Sequence, residues 1–173
     1  MNPTFRLALT CLSLLVAAHP AAAEESALRG VFVSEAPADA KIDQAIETAV
    51  AKMNFIKRPI ARGRLKKTNP AYARVELAGT ADEFSVKFDD RKSVQIPLTG
   101  KPVMWARDDG EKFEVMARHE GSQIVQTFKS PDGQRINRFS LGADGKLTMD
   151  VTVSSEQLPA PVHYDMTFVR STH

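Results

Sequence analysis

A mainly β architecture is predicted: an antiparallel up-and-down meander of about nine to ten strands, curled into a barrel or half-barrel, with one N-terminal helix packed on or in it. Three observations predict it. From Tyr72 onward apolar residues alternate with polar ones at period two, turn-forming pairs interrupt that alternation about every ten residues, and the only sustained helical periodicity lies before residue 59. The composition, 43% apolar and 25% charged, is that of an ordinary globular chain and excludes disorder or a coiled-coil rod for the bulk of the 173 residues.

The first segment reads as a leader. Arg6 precedes an apolar run, Leu7 to Val16, and the small residues Ala21-Ala22-Ala23 stand just before Glu24-Glu25, the three regions of a secretory signal peptide. The expectation is cleavage after Ala23 and one domain over residues 24–173, exported to a periplasm or the extracellular space. The apolar run is about half the ~20 residues of a spanning helix, so no transmembrane span is expected in the mature chain. Cys11, the one cysteine, lies inside the leader, which leaves the exported domain without a disulfide.

The elements follow in order. Leu28 to Val33, with Gly30 inside it, is short and apolar, as a first strand would be. Asp39 is a suitable N-cap, and Ile42, Ala45, Ile46, Ala49, Val50, Met53 and Ile56 recur at three- and four-residue spacing, which predicts a helix over about 39–58 ended or kinked by Pro59. Residues 60–67 are open to a second helical piece before the Asn69-Pro70 turn, so the helical segment spans 39–67. Then come Phe84-Val86-Phe88, Val94-Ile96-Leu98, Val103-Trp105, Phe113-Val115-Ala117, Leu147-Met149-Val151-Val153 and Val162-Tyr164-Met166-Phe168, each with its apolar groups on one face of a strand. Asp109-Gly110, Asp132-Gly133 and Asp144-Gly145 mark hairpins. Connections this short make neighbouring strands antiparallel.

Nine such strands in a row leave two free edges, which closure into a barrel or a covering helix removes. Strand 28–35 is placed to close the barrel, with 39–67 as a cap or plug. This order of strand, helical insertion and meander resembles the calycin-type barrels, the fatty-acid-binding and lipocalin families. The segment from Gly145 to Arg170 resembles the closing hairpin of small exported bacterial lipocalin-like proteins of unassigned function. Gly30-Val31-Phe32 has phenylalanine where the lipocalin signature has tryptophan. The resemblance implies a barrel that holds an apolar or amphipathic small molecule.

Recognisable chemistry is sparse. His119, His163 and His173 have no zinc spacing, no serine stands in a nucleophile elbow, and no glycine loop cradles a phosphate. No catalytic residue, metal ligand or cofactor is therefore assigned, and an enzyme is the less favoured reading. A net charge of +2 gives no footprint for nucleic acid.

Two places remain. Strand parity puts Gln126 and Tyr164 on the apolar side, with Trp105 and Arg107 at one strand end; in strand 135–141 either Asn137 joins Phe139 and Leu141, or Arg138 joins Ile136. Trp105, Gln126, Arg138 and Tyr164 are the candidate ligand contacts, able to orient a carboxylate or other polar head in an apolar cavity. The second place is basic: between Thr48 and Val75 no acidic residue occurs, and Lys57, Arg58, Arg62, Arg64, Lys66 and Lys67 are candidates for contact with anionic lipid or an envelope protein. The first reading is a binding protein with a hollow interior. The alternative is an envelope interaction module whose sheet the helix fills, with 52–67 as its working surface.

Overall fold

The computed structural model describes residues 28–107 and 109–172. The expected leader, 1–23, lies outside the described residues.

Strand β1 (Gly30–Ser34) is followed by helices α1 (Asp39–Val50) and α2 (Lys57–Thr68), then by β2 (Arg74–Gly79), β3 (Glu83–Phe88), β4 (Val94–Pro97), β5 (Val103–Ala106), β6 (Lys112–Glu120), β7 (Gln123–Ser130), β8 (Gly133–Leu141), β9 (Leu147–Ser154) and β10 (Val162–Arg170). They form one sheet in the order β4-β3-β2-β1-β10-β9-β8-β7-β6-β5, antiparallel throughout. The first strand lies between β2 and β10 and joins the two halves of the meander, Phe32 facing Arg170 on one side and Val75 on the other. Beyond β4 the chain crosses the remaining seam: Thr99 bridges to Arg118, and the Gly100 amide donates to the Ala117 carbonyl at 2.9 Å. The barrel is nearly closed.

A helix was expected over 39–58, with 60–67 open to a second piece; the break instead falls between Val50 and Lys57, and the reason is local. α1 ends at Val50, and the Arg58 guanidinium donates to the carbonyls of Ala51 and Met53 just past its end, the latter at 2.9 Å. The Asn54 side-chain oxygen accepts the Lys57 amide at 2.8 Å and opens α2. Pro59 then falls in the first turn of α2, where its missing N–H leaves no helical bond unmade, so it starts a helix instead of stopping one. Ile56, assigned to the buried stripe, is exposed as a result.

The two helices cover one end of the barrel, called here the upper end. Ile42, Ile46, Ala49 and Val50 bury the inner face of α1, and Lys41 is 2.8 Å from Asp165 on β10. Arg62 grips both oxygens of Glu47, with Nη2 to Oε2 at 2.7 Å, and Lys66 reaches Asp43 at 2.8 Å, so two ion pairs tie α2 to α1. Arg62 also holds the Glu47 carboxyl below the usual carboxylate range.

Register sorts the inward residues of β7–β10 into layers. Ile124, Phe139, Met149 and Met166 share one; Gln126, Asn137, Val151 and Tyr164 the next above; Phe128, Arg135, Val153 and Val162 the next. The lowest of these, together with Phe32, Ile96, Leu147 and Phe168 beneath and around it, is packed solid.

Candidate ligand site

Above the packed layers the interior opens into a cavity of about 570 Å³. Its rim is made by the C-terminal end of α2 and by the β3–β4, β5–β6 and β7–β8 turns. Gly133 matters at this rim, because a β-carbon there would collide with the Ser154 carbonyl on the neighbouring strand.

The walls are aromatic. Trp105, Phe113 and Phe128 form a cluster with ring centroids 5.7 to 6.2 Å apart, two of the three pairs edge-on. Across the seam Tyr72 stacks on Phe88 at 4.3 Å, with the Arg91 guanidinium 5.5 Å from the Tyr72 ring. At the rim Arg107 lies 5.3 Å from the Phe113 ring and donates to both Asp109 oxygens at 2.9 and 2.7 Å. That hydrogen-bonded guanidinium lowers the Asp109 carboxyl to about 2.

The floor is polar. Arg135 donates through Nε to Asn137 Oδ1 at 2.8 Å and through Nη1 to Asn69 Oδ1 at 2.9 Å. The Tyr164 hydroxyl donates to the same Asn69 oxygen at 3.1 Å, and Asn137 Nδ2 donates to Gln126 Oε1 at 2.9 Å. Asn69 is fixed from behind, its Nδ2 donating to the Leu65 carbonyl at 2.9 Å. Burial pushes the Tyr164 phenol up, against the opposing pull of Arg135, which keeps it a protonated donor. Two donors in this network, Arg135 Nη2 and Gln126 Nε2, are buried without a hydrogen-bond partner, and no carboxylate pairs with Arg135 among the described residues. An anion's oxygen can supply the acceptor such a donor lacks.

The arrangement has the fold of the fatty-acid-binding calycin barrels. Solved structures with this fold include the REP1-NXSQ fatty acid transporter, 17% identical with a TM-score of 0.55 over 86% of this chain and 98% of that one. The zebrafish ileal bile acid-binding protein, complexed with cholic acid, is 17% identical with a TM-score of 0.53 over 84% and 99%. A secretory abundant heat soluble protein of Ramazzottius varieornatus is 10% identical with a TM-score of 0.56 over 84% and 96%. No protein-family model and no curated protein matches the sequence. The likeness is therefore one of fold alone.

Of the sequence-predicted contacts, Trp105 lines the cavity wall, while Gln126 and Tyr164 stand in the polar layer at its base. Arg138 does not join them. It is in register with Val125 and Asp150 on the other face of β8, because the buried partners of Phe139 are Asn137 and, one step further up, Arg135. The interior guanidinium is that of Arg135. Asn69, read as a turn residue, is the hub of the network, a role that no local pattern could signal because its partners are 66 and 95 residues away.

The basic stretch divides as well. Arg58, Arg62 and Lys66 are engaged with the α1 end, Glu47 and Asp43. Lys57, Arg64 and Lys67 make no ion pair among the described residues, and Lys67 stands at the cavity rim.

Proposed function

We propose that the protein is an exported carrier whose upper barrel binds a compact amphipathic organic acid, the acid group seated at Arg135 and the apolar body between the Trp105 and Tyr72 aromatic groups. The single observation that carries this reading is Arg135, a cationic side chain on the floor of an aromatic cavity with no acidic partner among the described residues and one buried donor unused. An anion supplies the missing acceptor, and aromatic walls accept the rest of the molecule.

Fold neighbours support the ligand class in outline, since a fatty acid transporter and a bile acid-binding protein share the architecture. The packed lower half supports the narrower statement that the ligand is compact. From Gly133 at the rim to Asn137 at the floor is four residues of strand, about 13 Å, and below that the side chains fill the barrel. A broad, ring-bearing acid suits that depth better than an extended long chain. Export rests on the Arg6, Leu7–Val16 and Ala21–Ala23 pattern.

Trp105 is the only tryptophan and lines the site, so its fluorescence reports entry directly. Titration with cholic acid is expected to shift that emission saturably, and palmitic acid to do so more weakly. No saturable change with any organic acid would defeat the proposal.

A further inference from the structure

The mouth of the cavity is charged unevenly. On the Tyr72 side of the seam it carries cations: Lys67 near the end of α2, with Arg91 and Lys92 on the β3–β4 turn. The turns on the Trp105 side carry Asp109, Glu111 and Asp132, and Arg107 holds the first two. Lys67 and Arg91 make no ion pair or side-chain hydrogen bond among the described residues, and Asp90, on the same turn as Arg91, does not line the cavity. This lip is thus a second place at which an acid can be held, apart from Arg135 on the floor.

The position of Arg91 is built by its neighbours. Asp89 is the only non-glycine residue with a positive φ among the described residues, at 48°, a left-handed conformation that aspartate adopts more readily than most side chains. Its carboxylate accepts the amides of Ala73 and Arg74 at 3.0 and 2.8 Å, and its own amide donates to the Arg74 carbonyl at 3.0 Å. The Arg91 amide donates to the Phe88 carbonyl at 3.0 Å. The turn is thereby clamped to the start of β2, and Arg91 returns over the Tyr72 ring, 5.5 Å from its centre. That contact uses the face of the ring and leaves the guanidinium N–H groups for an acceptor.

Depth decides what can touch both places. Floor and rim are about 13 Å apart along β8, so a rigid ring body with one end on the floor brings its other end to the lip. We propose that the ligand is two-headed, an amphipathic molecule with an acidic group at each end, one seated at Arg135 and the other held at the lip by Lys67 and Arg91. This rests on the reading of the cavity as an acid site and narrows the ligand from an acid to a dianion.

The experiment is calorimetric titration of lithocholic acid and of lithocholic acid 3-sulfate, which share one rigid ring body and differ in an anionic group at the end away from the carboxylate. Wild type should bind the sulfate roughly tenfold tighter at low salt. In the double variant Lys67→Gln, Arg91→Gln that ratio should fall to about one, whereas Arg64→Gln, a cation of the same helix that does not line the cavity, should keep it. All three substituted side chains are exposed, so each variant should keep the wild-type Tm. Equal affinity of the two compounds for wild type, or a preference for the sulfate that survives in the double variant, would overturn the subsite at the lip and leave recognition of an acid at Arg135 standing. Binding of neither compound to wild type would overturn the reading of the cavity itself, and the second subsite with it.

Discussion

The two ends of the barrel are made by the same strands, yet the lower is solid and the upper is hollow. In the lower end Phe139, Leu147, Met149 and Phe168 are completely buried, each filling the space its neighbours leave. Two residues higher along β8, Phe139 gives way to Asn137, and two higher again to Arg135, while the polar partners Gln126 and Tyr164 appear on the flanking strands at the level of Asn137. Above that level the aromatic residues line the cavity, while Val162 and the inner face of α1 stay buried beside it. The lower end accordingly supplies stability, and the upper end holds an arrangement of polar groups that the core alone would not favour.

That contrast can be broken from either side. Phe139→Ala should produce the largest effect, a loss of about 3–5 kcal/mol in chemical denaturation, because a fully packed site cannot collapse around the void. Ligand affinity measured where the variant remains folded should be nearly unchanged. Trp105→Ala should behave in reverse, with a smaller cost in stability, since the ring is only half-buried at the cavity wall, and a clear loss of affinity followed by calorimetry. Were the two variants to shift stability and affinity alike, the division between the ends would not stand.

Finer changes sharpen it. Arg135→Leu should cost about 1–3 kcal/mol in stability, since it removes the donor of the buried Asn137 Oδ1, while Arg138→Leu on the outer face should alter neither stability nor affinity by more than about 0.5 kcal/mol. Raising the pH tests the polar layer. The Tyr164 phenol is pushed up on folding, so its contribution is fully present below the ordinary tyrosine value of ~10 and is lost as pH rises through the higher folded value. In an absorbance titration one of the two tyrosines should therefore ionise later in the native protein than in the denatured one. A small gain is expected of Gly63→Ala in α2, where a β-carbon meets nothing: about 0.5–1 kcal/mol in stability, with affinity retained.

Much of the frame was legible because it rests on local periodicity. Alternation at 84–88, 94–98, 147–153 and 162–168 places those strands, and the early apolar run at 28–33 is the strand that closes the sheet. What failed to show is what depends on distant partners. The end of α1 is set by Arg58 reaching back to Ala51 and Met53, and Pro59 is read correctly only once that break is known. In β8 the sequence leaves two parities open, and only the pairing of Gln126 with Asn137 across the β7–β8 ladder selects one. Of the expected alternatives, the hollow interior describes the upper end and the helix-filled interior describes neither end. Side chains of the sheet itself fill the lower end, and α1 and α2 cover the upper end without occupying it.

The central claim is that Arg135 makes the upper cavity selective for an acid. The most direct test is calorimetric titration of cholic acid and of its methyl ester into the wild-type protein and Arg135→Leu. Wild type should prefer the acid by roughly tenfold or more, and that preference should vanish in Arg135→Leu while the ester binds both proteins alike. An equal preference for the acid in both proteins would contradict the assignment of Arg135, and no preference in wild type would contradict recognition of an acid altogether.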